Sequence, residues 1–143
     1  MSLFSAISVG ASGMAAQRQR AELLVENLAN AETTRTPDGG PYRRKDAVFE
    51  SSDVSSPFAS VFDTQLHGTG VQVSSVITDT SAPERRYMPG HPDADEDGYV
   101  AFPHISPAED MVDLMSAARG YEADVAAISA VKEMIQRSMD LLH

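Results

Sequence analysis

The chain has no cysteine. That excludes disulfides, thiolate metal centres and cysteine nucleophiles, and it suits an oxidising space. Basic residues are scarce as well: 11 Lys and Arg stand against 21 Asp and Glu, giving a formal charge of -10. Nucleic acid is thereby a poor partner, because holding phosphates takes a basic face that displaces counterions. The shortage is greatest at one end, where residues 91–143 carry eleven acids and three bases, against ten and eight in residues 1–90. One end of the folded molecule should therefore be acidic. No apolar run approaches the roughly 18 residues of a membrane-spanning helix. The mildly apolar start, MSLFSAISVGASGMAAQRQR, lacks the basic leader of a secretory signal. Serines interrupt it and its first cations follow the apolar stretch, so we expect it to be retained. At 143 residues there is room for one domain, or one small domain with extensions.

Proline is nearly absent from both ends, and seven of the eight prolines fall within residues 31–105. The ends carry helical periodicity. From Leu3 the apolar positions step by four and three through Ile7, Met14, Ala21, Leu24 and Leu28, with Gly10 and Gln17 interrupting an otherwise heptad seam. Gly10, Gly13 and several serines weaken this helix by up to about 1 kcal/mol each, so it needs a partner to form. The C-terminal seam is stronger: Met111, Leu114, Ala118, Tyr121, Val125, Ile128, Ile135, Met139 and Leu142, with Lys132 as its one polar slot. Ser106 as N-cap, Pro107 at the first helical position and Glu109 as capping-box partner mark its start. Asp110 and Asp113 add charge that suits the dipole there. Uninterrupted, this helix reaches about Leu142, on the order of 50 Å. Val112, Met115, Val131 and Met134 lie outside the seam and form a second stripe, so the helix needs more than one neighbour. Stripes of this kind ordinarily form the core of their own molecule; the second stripe and the methionines favour additional partners.

Between the helices, GVQVSSVITD (Gly70 to Asp79) alternates at Val71 and Val73 and resumes, shifted by one, at Val76, as a strand with a bulge would. Asp97-Gly98 predicts a turn, with a strand at Tyr99 to Phe102 behind it. The stretches from Thr33 to Ala47 and from Ser51 to Gly70 read as loop.

HPDADEDGYV places Asp93, Asp95 and Asp97 at alternate positions before Gly98, as a calcium loop does. The twelfth position, where that loop needs a bidentate glutamate, is His104, and Pro89, Pro92 and Pro103 occupy the places of the flanking helices. An acidic exposed turn is the simpler reading. His67, His91, His104 and His143 show no paired metal-ligand spacing. Gly10 to Gly13 falls short of a nucleophile elbow, and Gly68-Thr69-Gly70 of a dinucleotide loop. Arg43-Arg44-Lys45 and Arg85-Arg86 default to solvated charge, with pairing to acidic neighbours as the alternative. No cofactor, metal or catalytic residue is expected.

Several motifs together resemble one family. GHPDADEDGYV with Phe102-Pro103, then EDMVDLMSAARGYEADVAAISAVKEM, is similar to the C-terminal signature of the bacterial flagellar basal-body rod proteins of the FlgC family. The Ser12-Gly13-Met14 and Ala16-Gln17-Arg18 start and ENLANAETTRTPDGGPYRRK resemble its N-terminal half, with Asn27 and Asn30 at the family's asparagine positions. Glu32, Met14 and His104 depart from its usual residues. The resemblance covers most of the chain except about Ser51 to Leu66.

It implies a mainly α protein with a small β element. Long terminal helices (1–32 and 106–143) pair as a coiled-coil-like hairpin around a loop and β region (33–105). It further implies a structural, non-enzymatic subunit of the periplasmic proximal rod that is exported by the flagellar type III apparatus. Such a subunit assembles with copies of itself and other rod proteins, up to the export-gate and ring adaptor side, and transmits torque. The seam residues would then carry assembly, and the Gly39-Gly40-Pro41-Tyr42 loop would contact neighbours. The alternatives are another axial protein of the flagellum, a calcium-binding regulator built on Asp93, Asp95 and Asp97, or a small hydrolase using Asp, Glu and His.

Overall fold

The computed structural model describes residues 3–54 and 68–141. Two helices frame four strands: α1 (Leu3–Ala29), β1 (Lys45–Val54), β2 (Gly68–Thr78), β3 (Glu84–Tyr87), β4 (Tyr99–Phe102) and α2 (Pro107–Asp140). At 1.5 Å per residue, the 27 residues of α1 span about 40 Å and the 34 of α2 about 51 Å. They run antiparallel as a hairpin, with Gly10 against Ile128, Gln17 against Gly120 and Arg20 bonded to Asp113. The fold is therefore mainly helical with a small β element, as the sequence implies.

The start of α2 is where Ser106 and Pro107 put it, but not by the expected bond. Ser106 is extended (φ -100°, ψ 102°) and its hydroxyl makes no capping hydrogen bond. Its carbonyl accepts from Asp110 N at 3.0 Å, Pro107 has no N–H to satisfy, and Glu109 and Asp110 supply negative charge to the first turn. Glu109 stays in solvent, so the capping box does not form. The helix closes at Leu141, whose N–H donates to Arg137 O. Leu142 lies outside the described residues.

β1 and β2 form an antiparallel ribbon from Lys45 opposite Thr78 to Val54 opposite Gly68. Val48 faces Ser75 and Phe49 faces Val73, so Ser74 is the extra residue of a bulge, where the alternation of valines slips. Lys45 to Ala47, Ser51 to Val54 and Gly68 to Gly70 are strand, where the sequence predicts loop. β1 has only Ala47, Val48 and Phe49 as an apolar run, and its extended form comes from pairing with β2 and packing on α1. Residues 55–67 of the predicted loop lie outside the described residues. β3, also unanticipated, pairs with β4 from Glu84 opposite Phe102 to Tyr87 opposite Tyr99. Its side chains are all exposed, so no inward face could mark it in the sequence.

Among the described residues the buried apolar side chains are few: Ala16, Leu24, Tyr42, Val100, Phe102, Pro103 and Ala117. Asn27 and Asp110 are buried with them. Among the described residues α1 packs against α2, β1 and β2, whereas α2 packs on no other element than α1. One side of the longest helix is consequently bare.

Candidate functional site

Two neighbouring rows on α2 divide its surroundings. The row Asp110, Ala117, Asp124, Val131 faces α1, flanked by Leu114, Ile128 and Ile135, and every one of these is at least half-buried. One residue further on, the row Met111, Ala118, Val125, Met139 is exposed: Met111 by 54 %, Val125 by 40 % and Met139 by 61 %. The more apolar row is thus the outer one. Tyr121, at the edge of the inner seam, is exposed too, and Val112, Met115, Met134 and Leu141 extend the bare surface. Of the seam residues that the sequence singles out, Leu114, Ile128 and Ile135 join the hairpin, whereas Met111, Ala118, Tyr121, Val125 and Met139 point elsewhere. On α1, Leu24 is buried and Ile7, Met14 and Leu28 are half-buried; the side chain of Leu3 is not among those described.

The contact between the helices is built from small and polar residues. A β-carbon on Gly10 would lie 2.9 Å from Ile128 Cγ1, and one on Gly120 would lie 3.1 Å from Gln17 Cδ. Gly10 and Gln17, which interrupt the apolar seam in the sequence, are therefore contact points with α2. Glycine there trades helix propensity for close approach of the two backbones.

A polar joint fixes the ribbon to the hairpin. Asn27 Nδ2 donates to Lys45 O at 2.8 Å, and its Oδ1 accepts from Lys45 N at 2.9 Å and from the Tyr42 hydroxyl at 3.1 Å. The amide thus pairs with one backbone unit as a neighbouring strand would, and every bond it makes is internal. Lys45 Nζ lies 2.5 Å from Glu26 Oε1 and over the Tyr42 ring. Burial, with Glu26 beside it, pushes the Tyr42 phenol up to about 12. Ahead of this joint, Gly39 and Gly40 take φ of +89° and +78°. This turn, where Gly39 N donates to Thr36 O, brings Tyr42 N to Thr33 O. Arg44, two residues after Tyr42, meets Asp46, Asp110 and Asp113. The asparagine motif and the G-G-P-Y-R-R-K stretch are two halves of one device, joined in space, which periodicity alone does not reveal.

The acids of the suspected calcium loop have other work. Asp93 accepts from Thr34 Oγ1 at 2.8 Å and pairs with Arg35 Nε at 3.3 Å, tying this loop to the one after α1. Asp95 Oδ1 accepts from Tyr99 N at 2.8 Å and Asp97 N at 3.1 Å, while Oδ2 pairs with Arg85. These bonds, the one to Tyr99 N foremost, hold its carboxyl below the ordinary range. Gly98 (φ +81°) turns the chain into β4. Arg85 stacks on Tyr99, and Arg86 stacks on Phe102 while pairing with Glu84. Arg85 and Arg86 thus pair with acidic and aromatic neighbours while staying exposed to solvent. Among the described residues, no three of His, Asp and Glu stand together as a metal site, and no helix is long and apolar enough to cross a membrane.

Comparison with known proteins bears on what such a surface does. The family described as "Flagellar basal body rod FlgEFG protein C-terminal" matches residues 96–141. Along its whole length the chain is similar to proteins named flagellar basal-body rod protein FlgC. It is 39 % identical to the one from Borreliella burgdorferi, with 100 % of this chain and 99 % of that protein covered. It is 38 % identical to the one from Bacillus subtilis (99 % and 99 %) and 38 % identical to the one from Salmonella typhimurium (99 % and 98 %).

Proposed function

Since the chain belongs to the FlgC family of flagellar basal-body rod proteins, we propose that it forms the proximal part of the rod by polymerising helically through its terminal helices. It is a structural subunit of the flagellar basal body. In this reading residues 1–32 and 106–143 are the assembly helices, and residues 33–105 are the joint that spaces them.

The observation that carries the reading is the outward apolar row Met111, Ala118, Val125, Met139 on a helix whose only packed element among the described residues is α1. Burying such side chains on a neighbouring chain stabilises by about 25 cal/mol per Å² of apolar area removed from water. A rod grows through contacts that do not close on themselves, so one copy must present different faces to successive neighbours. Apolar side chains pointing in more than one direction along α2 meet that need. Ile7, Met14, Leu24 and Leu28 on α1, with Leu114, Ile128 and Ile135 on α2, hold each pair together. Met111, Ala118, Tyr121, Val125 and Met139 meet other copies and other rod proteins, including those on the ring adaptor side.

Long helices locked to several neighbours transmit torque across the periplasm by being stiff. An α1 lined with glycine is weak alone, which suits a chain that passes the flagellar type III apparatus unfolded and orders on assembly. The role in this reading is non-enzymatic: Asp93 is bonded to the Thr34 hydroxyl and the Arg35 guanidinium, and Asp95 to backbone N–H groups and the Arg85 guanidinium.

The test is mass spectrometry and electron microscopy of basal bodies purified with and without the gene. The protein should be present in them, and its loss should leave the membrane ring without rod or hook. Complete rods in its absence would overturn the proposal.

A further inference from the structure

The charges at the amino end of α2 do not balance. Asp110 is 1 % exposed. Arg44 Nη2 stands 3.0 Å from its Oδ1, close enough for an ion pair but out of line for a hydrogen bond, so neither carboxylate oxygen has a donor. The same guanidinium reaches Asp46 Oδ1 at 3.4 Å and Asp113 Oδ2 at 3.8 Å, and Arg20 Nη2 donates to Asp113 Oδ1 at 3.1 Å. Three carboxylates thus share two guanidiniums. Nε of Arg44 is itself buried without an acceptor. The charged and titratable groups around Asp110 are Arg44 just before β1 and Asp46 within it, Tyr42 ahead of both, Asp113 and the exposed Glu109 on α2, and Arg20 on α1 through Asp113. None adds a further cation.

We propose that Asp110 is a proton-operated clasp between the first turns of α2 and the start of β1, tight when the carboxyl is protonated and looser when it is ionised. A buried carboxylate without donors is costly. A proton removes the surplus charge, gives the group an O–H to donate and leaves Arg44 to Asp46 and Asp113. Burial raises the Asp110 carboxyl above its ordinary range; Arg44 opposes the shift, and Asp46, Asp113 and Glu109 add to it. The folded chain then holds this proton more firmly than the unfolded chain does. Its contribution to stability is complete below the ordinary carboxyl range and is lost as pH rises through the raised value. Asp79, Glu84 and Asp95 are shifted downwards and lose their contribution as pH falls, so a whole-molecule pH curve mixes opposite signs.

The test must therefore be read at the site, in the full chain. Carbon-detected titration should place the Asp110 carboxyl midpoint above that of ordinary aspartates. Hydrogen exchange should show the amides of Asp110 to Leu114 opening less often below the Asp110 midpoint found in that titration than above it, after correction for intrinsic exchange. In Asp110→Asn that dependence should vanish. An ordinary or lowered midpoint, or the same pH dependence in Asp110→Asn, overturns the clasp. Should that variant not fold, Asp113→Asn decides: removing this neighbour should lower the Asp110 midpoint, and an unchanged midpoint overturns the proposal.

Discussion

Gly13 lies under the carboxylate of Asp124, so close that a β-carbon on Gly13 would sit 2.6 Å from Asp124 Oδ2. Gly10, one turn earlier, lies under Ile128, where the same β-carbon would meet Cγ1 at 2.9 Å and Cδ1 at 3.3 Å. Alanine at either position gains about 1 kcal/mol of helix propensity. The difference between them is therefore steric. Asp124 can swing the end of its side chain outward, but Ile128 Cγ1 is held near its backbone, and overpacking there costs about 1–3 kcal/mol. Urea unfolding should find Gly10→Ala less stable than Gly13→Ala by about 1–2 kcal/mol; equal values would mean that the hairpin does not approach as closely as described.

Asn27 has no exposed surface, and its amide serves both polar groups of Lys45. Asn27→Ala leaves that N–H and C=O and the Tyr42 hydroxyl without partners, and should cost about 2–4 kcal/mol. Tyr42→Phe removes a single bond and should cost about 1 kcal/mol. Denaturant midpoints in the reverse order would show that the joint is held by packing instead.

The Tyr42 phenol, raised to about 12, should give a late step in an absorbance titration, above the ordinary tyrosine value of about 10, and Tyr42→Phe should remove that step. The folded chain holds this proton more firmly than the unfolded one. Its contribution is complete below the ordinary tyrosine value of about 10 and disappears as pH rises towards about 12. The wild type should therefore lose stability relative to Tyr42→Phe across that window.

Val125→Lys with Met139→Lys alters only exposed positions of α2. Monomer stability should stay within about 0.5 kcal/mol per substitution, while rod assembly, read by motility and by yield of rods in basal-body preparations, should fail. Normal swimming would place the assembly surface elsewhere.

Asp95→Ala removes the acceptor for Tyr99 N and Asp97 N, so the turn into β4 should loosen and the melting temperature fall. Calcium or a chelator should leave the wild-type melting temperature where it is. A calcium-dependent rise, lost in Asp95→Ala, would reinstate a metal role for the acidic loop.

How much of this was legible in the sequence differs residue by residue. The slip of phase between Val73 and Val76 announced the bulge at Ser74, because side-chain alternation is a strictly local property. Both helices were legible for the same reason. The face that α2 turns to α1 was legible only in Leu114, Ile128 and Ile135: Asp110, Ala117, Gly120 and Asp124 look like a solvent face, and Gly10, Gly13 and Gln17 of α1 help to make it a contact. β1 and β3 were missed because their extended form comes from partners distant in the chain. Asn27 and Arg44 were visible as motif members, but their roles depend on loops that bring them to Lys45 and Asp110. The apolar row of α2 was found, while its direction needed the fold.

Adjacent columns of the α2 sequence answer to different histories. Asp110, Ala117 and Asp124 meet residues written in the same gene, so a change in one can be repaired by a change a hundred codons upstream and inherited with it. Met111, Ala118 and Val125, a single residue away, face whatever lies beyond the chain. Where the proposed assembly sets that row against other rod proteins, the compensating changes would sit in other genes. A chain transplanted between species would then fold in its new host by virtue of the first row, and be accepted or rejected there by virtue of the second.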